Sequence, residues 1–152
     1  MQAKGFTKNE LIRILGYDNA ETSDSLKVSD KYVPVNATFI PLASADKHLK
    51  VGDKIRVIRP CTPEWLAELG TDRLGNQQEY NFSKWQPGQY TMAWERNVTQ
   101  VSEEGIEIDV PITMSLDPEY GGGYVTPLKW TGRIYNIGIE NLCSVSYTHL
   151  TL

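Results

Sequence analysis

The residues with the clearest chemical potential lie in a long polar segment, TDRLGNQQEYNFSKWQPG, at residues 71–88. Sugar rings present apolar C–H faces, on which an exposed Trp or Tyr can stack while polar neighbours bind the hydroxyl groups. We therefore predict that Trp85, Tyr80, Asp72 and Arg73 contact a carbohydrate substrate. Packing into the core is the alternative for both rings, because large aromatic side chains are usually well buried.

Catalytic chemistry is less clearly marked. Glu107 and Asp109 share one face of an expected strand, and a glycoside hydrolase needs two carboxylates, but such pairs are more often solvated strand exteriors. A polysaccharide lyase needs a base together with cations that stabilise negative charge, and no such group of residues is recognisable. Asp72, Glu79 and Asp117 suit a hard cation, although their spacing is not that of a calcium loop. We therefore assign no catalytic residue, metal site or cofactor.

The glycine run in YGGGYV, residues 120–125, allows a close approach of backbone to backbone or to a ligand. A phosphate cradle would need a following Lys-Ser/Thr pair and a strand leading into a helix, and neither is present. The pattern therefore favours a packing role in a turn.

Composition limits the classes of partner. The chain of 152 residues is 40% hydrophobic and 22% charged, which suits one modest globular core. A net charge of −4 argues against nucleic acid or an anionic membrane as a partner, and no apolar run is long enough to span a bilayer. The start, MQAKGFTKNE, lacks the apolar region of a signal peptide. Cys61 and Cys143 match no metal or redox spacing and are expected to be ordinary buried side chains.

One helix is well signalled in CTPEWLAELG, residues 61–70. Thr62 can cap its start, Pro63 suits the first helical position, and Gly70 can end it. We expect its apolar face to be formed by Trp65, Leu66 and Leu69.

The remaining patterns predict mainly strands. Ile55 and Val57 share a face of one strand, and two strands flank SEEG as a hairpin with Gly105 at the turn. YVPVNATFIPL, residues 32–42, predicts an edge strand, a turn at Asn36 and a second strand. LIRILG, residues 11–16, is interpreted as a further strand. The core is expected around four residues: Val57, Trp94, Ile108 and Val110.

The segment GRIYNIGIENLC, residues 132–143, alternates like a strand up to Asn141. Asn tolerates a left-handed backbone, so a bend is predicted there. A single strand of this kind buries little, which indicates one rung of a stacked repeat.

The succession of YVPVNATFIPL, VGDKIRVIRP, IEIDVPI, YGGGYV and WTGRIYNIGIENL resembles the pectate-lyase-like right-handed parallel β-helix family. The resemblance covers about residues 28–146. It implies a mainly β fold: a small β-rich insertion with one short helix, flanked by partial right-handed parallel β-helix coils. The implied divisions follow in chain order: 1–27 partial coil and linker, 28–130 insertion, 131–146 start of a rung. The final SYTHLTL breaks the rung pattern, so residues 147–152 are interpreted as a tail that is not native sequence, with a genuine short tail as the alternative.

The family resemblance also implies a function. Its members act on or bind polysaccharide, so we expect a fragment of a secreted, periplasmic or cell-surface bacterial protein that is a polysaccharide lyase or glycoside hydrolase. The alternative is a non-catalytic glycan-binding or tail-spike-like attachment module. On either hypothesis the partner is a polysaccharide, and catalytic residues are expected outside this fragment.

Overall fold

The computed structural model describes residues 12–43, 48–73 and 84–141. The chain divides into two compact units: Ala20–Lys129 forms one, and Met1–Asn19 with Trp130–Leu152 forms the other. Tyr80, Glu79 and Cys143 lie outside the described residues.

The larger unit is built on an antiparallel sheet, which confirms the mainly β prediction. Its order is β1-β7-β4-β5-β6-β3, and β2 also pairs with β7. The strands are β1 Glu21–Thr22, β2 Leu26–Lys27, β3 Phe39–Pro41, β4 Lys54–Arg59, β5 Met92–Val101, β6 Gly105–Ile108 and β7 Tyr124–Lys129. All strand pairs of the described residues are antiparallel, so the parallel coils that the resemblance implies are not seen there.

Strand β4 lies between β5 and β7 at the centre of the sheet. As predicted, its side chains alternate: Ile55 and Val57 are buried, and Arg56 on the other face pairs with Glu95 at 3.1 Å. Val57 is opposite Trp94 on β5, and the indole Nε1 of Trp94 donates to Thr113 Oγ1 at 2.9 Å. The predicted core is thus confirmed for Val57, Trp94 and Ile108.

The hairpin of β5 and β6 also confirms its prediction, with Gly105 directly after the turn. A Cβ at Gly105 would overlap the carbonyl oxygen of Ile40 on the adjacent strand β3, so only glycine permits this close approach. The prediction that Val110 is a core residue was wrong, because it is 50% exposed. Strand β6 has already ended at Ile108, and the Asp109 side chain accepts from Val110 N–H, which breaks the alternation.

The helix α1, Pro63–Glu68, has the predicted caps. Thr62 Oγ1 accepts from Trp65 N–H at 3.3 Å, Pro63 is at the first helical position, and Gly70 follows the helix with a positive φ of 67°. Leu66 is buried, but the prediction for Leu69 was wrong: it is the last, C-cap residue and half exposed. Two short 3-10 helices cover Thr71–Arg73 and Pro118–Tyr120.

The described parts of the smaller unit, residues 12–19 and 130–141, contain no strand. The prediction of a strand at residues 11–16 was therefore wrong for residues 12–16, and the strand predicted in GRIYNIGIENLC is likewise not formed at residues 132–141. Backbone and side-chain contacts still join the two segments: Tyr17 N–H donates to Gly132 O, and Trp130 Nε1 donates to Tyr17 O, both at 2.8 Å. Asn141 has a φ of 56°, which confirms the predicted left-handed bend.

Candidate functional site

The segment WQPGQY, residues 85–90, folds as a tight turn. Gln89 N–H donates to Gln86 O at 3.1 Å, with Pro87 and Gly88 as the two central residues. Gly88 has a φ of 83°, the value that the third position of a type II turn requires, and Pro87 suits the second position. The local sequence therefore encodes the turn directly.

This turn places the two aromatic residues that flank it together. The ring centroids of Trp85 and Tyr90 lie 4.1 Å apart at an interplanar angle of 43°. Tyr90 is 40% exposed and Trp85 is half-buried, and neither belongs to the hydrophobic core cluster of the described residues. We call Trp85 and Tyr90 the aromatic pair; together they present apolar ring surface to solvent.

Hydrogen bonds join the turn to Cys61, which lies just before helix α1. Gly88 N–H donates to Cys61 O at 2.8 Å, and Cys61 N–H donates to Thr91 Oγ1 at 3.3 Å. The same hydroxyl donates to Gly88 O at 3.2 Å, and Cys61 Sγ lies 3.8 Å from Gln86 O. Cys61 is buried, as predicted. Contacts on both sides of the turn thus hold the aromatic pair on a fixed backbone.

Two glutamine side chains, Gln86 and Gln89, lie in the turn between the rings. Gln89 Oε1 accepts from Gln86 N–H at 3.0 Å, and Gln89 Nε2 lies 3.4 Å from the Tyr90 hydroxyl. Gln86 Nε2 reaches Lys84 O at 3.3 Å. These bonds are all solvent-exposed, so a polar ligand can exchange with them at low cost. Hydrogen-bonding groups therefore lie beside the apolar ring surface.

The last residue of β4, Arg59, is buried two residues before Cys61. Arg59 is 4% exposed, its Nε donates to Ser115 O at 3.1 Å, and its guanidinium carbon lies 4.4 Å from the Trp65 ring centroid. Burial lowers the pKa of Arg59, while Cys61 and Asp117 act in the opposite direction. Trp65, expected on the apolar face of helix α1, is half-buried and lies under this cation. Arg59 thus joins β4 and helix α1 to the segment at Ser115.

The glycine run packs against the same helix start. A Cβ at Gly121 would overlap the Thr62 side chain, and one at Gly123 would stand 3.0 Å from Ile58 O. Thr62 Oγ1 also donates to Tyr120 O at 3.1 Å. Burial raises the pKa of Tyr120. The carboxylates of Glu68, Glu119 and Asp117 raise it further by smaller amounts. The glycines thus serve close packing, as the sequence favoured.

Two of the carboxylates considered for chemistry, Asp117 and Asp109, have structural partners. Asp117 Oδ1 accepts from Glu119 N–H at 3.0 Å and caps a 3-10 helix. Asp109 accepts from the backbone and side-chain amides of Asn97 at 2.9 and 2.6 Å. Among the described residues, no three His, Cys, Asp or Glu side chains are grouped to hold a metal ion.

The four residues predicted to bind substrate are placed as follows. Trp85 belongs to the aromatic pair, and Arg73 is exposed at the end of the first 3-10 helix. Asp72 lies in that 3-10 helix, its side chain being outside the described part, as is all of Tyr80. Their role in binding stays a prediction. The sequence analysis missed Tyr90. The Pro-Gly pair predicts a four-residue turn at 86–89, and such a turn brings its flanking residues, Trp85 and Tyr90, close together.

No family model matches the chain, and no curated protein matches it either. Among solved structures, the chain is similar to the Pseudomonas phage phi297 tailspike gp61, at 19% sequence identity and a TM-score of 0.46. The match covers 70% of this chain and 14% of the tailspike chain. Within residues 12–43, 48–73 and 84–141, no helix is long and apolar enough to cross a membrane.

Proposed function

We propose that this chain is a glycan-binding module and that the aromatic pair forms its contact surface. The observation that supports this most is the type II turn at residues 86–89, which holds Trp85 and Tyr90 with centroids 4.1 Å apart at the surface. An aromatic face of this kind complements the apolar C–H face of a sugar ring. The neighbouring amides of Gln86 and Gln89 supply donors and acceptors for hydroxyl groups.

The arrangement also supports binding with little reorganisation. The backbone of the turn is fixed by its own hydrogen bond and by those to Cys61 and Thr91, and the two rings restrict each other by direct contact. Less side-chain freedom is then lost on association, which favours affinity.

In the parent protein this module would attach to a polysaccharide outside the cell or at its surface. The geometry supports the attachment function because it accounts for a binding face and requires no catalytic group. The prediction that the parent is a lyase or hydrolase rests on the sequence resemblance. It is tested by assaying the full-length parent for reducing ends and unsaturated uronates on acidic and neutral glycans, and no product from any glycan would contradict it.

Calorimetry on the 152-residue chain tests the proposed function, after a glycan array has identified a ligand. Trp85→Ala and Tyr90→Ala should each weaken binding about tenfold, because each removes roughly 50 Å² of apolar contact at about 25 cal/mol per Å². Tyr17→Ala is the matched control, since Tyr17 is 81% exposed and belongs to the other unit. Equal affinities for all four proteins, or an array without a ligand, would overturn the proposal.

A further inference from the structure

The larger unit contains a second feature that the proposed function does not use, a pocket of about 720 Å³ formed by the loop between β2 and β3. Residues 29–43 supply all of its lining except Glu104, which reaches it from the turn between β5 and β6. Its volume lies within the roughly 300–1,000 Å³ that is usual for small-molecule sites. Val33 and Leu42 are its buried apolar lining. We call this the loop pocket.

Backbone hydrogen bonds fix the walls of the loop pocket. Ser29 N–H donates to Pro41 O at 2.9 Å, and Val33 exchanges two bonds with Leu116 at 2.9 and 3.0 Å. Asn36 takes a left-handed φ of 65° in a turn closed by Ala37 N–H donating to Pro34 O. The walls of the pocket therefore belong to the hydrogen-bonded backbone of the fold.

Several polar side chains of the loop pocket have no hydrogen-bond or ion-pair partner within the described structure. The hydroxyl of Ser29 is buried and has no hydrogen-bond partner there. Within that same part of the chain, no ion pair or hydrogen bond engages the side chains of Lys31, Tyr32 or Glu104. A buried polar group without a partner is costly, so a ligand that supplies one binds more favourably at this position.

We infer that the loop pocket binds a neutral sugar unit. Hydroxyl groups both donate and accept, so the several hydroxyls of one sugar ring can pair with Lys31, Glu104 and Ser29. A purely apolar ligand would remove these groups from water without pairing them, and the opposite charges of Lys31 and Glu104 give an anion or a cation no net attraction to the lining. The ring of Tyr32, 58% exposed, adds a stacking face.

This second site goes beyond the proposed function, with which it shares only the class of ligand. The two sites use different residues, so separate substitutions distinguish them. Glu104 has a matched control in Glu103, its neighbour in the same exposed turn, which does not line the pocket.

The test is a titration of the 152-residue chain with methyl glycosides of glucose, galactose, mannose, rhamnose and N-acetylglucosamine, followed by amide chemical shifts. We expect saturable shifts confined to residues 29–43 and Glu104 for at least one glycoside. Glu104→Gln should weaken this response about tenfold, as expected for the loss of a hydrogen bond to a charged group, whereas Glu103→Gln should leave it unchanged. Tyr32→Ala should weaken it as well.

Three results would overturn the inference. The first is the absence of a saturable response in the loop at tens of millimolar of every glycoside. The second is an equal effect of Glu104→Gln and Glu103→Gln. The third is loss of the loop response in Trp85→Ala, because the two sites would then not be separate. Suppose that the loop response persists but that substitution of Trp85 or Tyr90 leaves glycan affinity unchanged. That result would support this inference and contradict only the proposed function.

Discussion

Replacing Gly88 by alanine should destabilise the turn that holds the aromatic pair. Gly88 has a φ of 83°, and a Cβ built there meets no atom within 4 Å, so the cost is entirely that of a left-handed backbone. For an L-residue other than Asn or Asp, that cost is roughly 1–2 kcal/mol. Gly88→Asn should cost less, since Asn is accepted at this position of a type II turn.

The measurement is the free energy of unfolding in urea, together with glycan affinity. Gly88→Ala should lower the urea midpoint at an unchanged m-value and weaken glycan binding, while Gly88→Asn should lie between it and the wild type. Gly138→Ala is the control, because Gly138 also has open space around it but no positive φ. If Gly88→Ala were as stable as the wild type, or no worse than Gly88→Asn, the assignment of the turn would be refuted.

Three further predictions concern stability and assembly. Gly105→Ala should destabilise the chain by more than about 2 kcal/mol, because its Cβ would overlap backbone of the next strand, and urea unfolding would reveal a smaller effect as a contradiction. Burial alone would raise the pKa of Asp109, but hydrogen bonds from Asn97 and Val110 outweigh it and hold that pKa below its usual range, so this carboxylate stabilises the fold at neutral pH and loses that effect as the pH falls through its folded pKa. The stability difference between the wild type and Asp109→Asn should therefore shrink as the pH falls from neutrality through the lowered folded pKa, and a constant difference would refute this. Ile137 and Ile139 are about half exposed, so the isolated chain should self-associate in sedimentation and exchange amide hydrogens faster at residues 133–141 than at 92–101; a monodisperse monomer with equally slow exchange would contradict this.

Elements with local signals could be predicted from the sequence. The caps of helix α1 at Thr62, Pro63 and Gly70 act within a few residues of one another, and so does the hairpin turn at Gly105. The left-handed conformation of Asn141 follows from its own side chain.

Features that depend on contacts distant in sequence could not be predicted in the same way. In the sequence, Val110 continues the alternation of apolar residues in β6. In the structure, β6 ends at Ile108, and Asp109 bonds to Asn97 through its side chain. Ile12 and Ile14 have an apolar pattern without a partner strand in the described residues. Periodicity does not say whether a partner strand is present, so this prediction failed.

The same distinction applies to the two sites. Trp85 was found by its residue type in a polar segment, whereas its pairing with Tyr90 needed recognition of the turn between them. The loop pocket brings Glu104 to a loop more than sixty residues earlier in the chain, through the pairing of β3 with β6. Register between such distant strands is set by the folded sheet and not by either segment alone.

The most direct test of the central claim is a titration of the indole N–H resonances with the glycan that binds the chain. The sequence contains four Trp residues, and Trp85→Phe assigns the resonance of interest. The proposed contact predicts that the Trp85 indole shifts saturably with glycan while that of the buried Trp94 stays in place. A ligand that binds without moving the Trp85 resonance would contradict the claim that the aromatic pair is the contact surface.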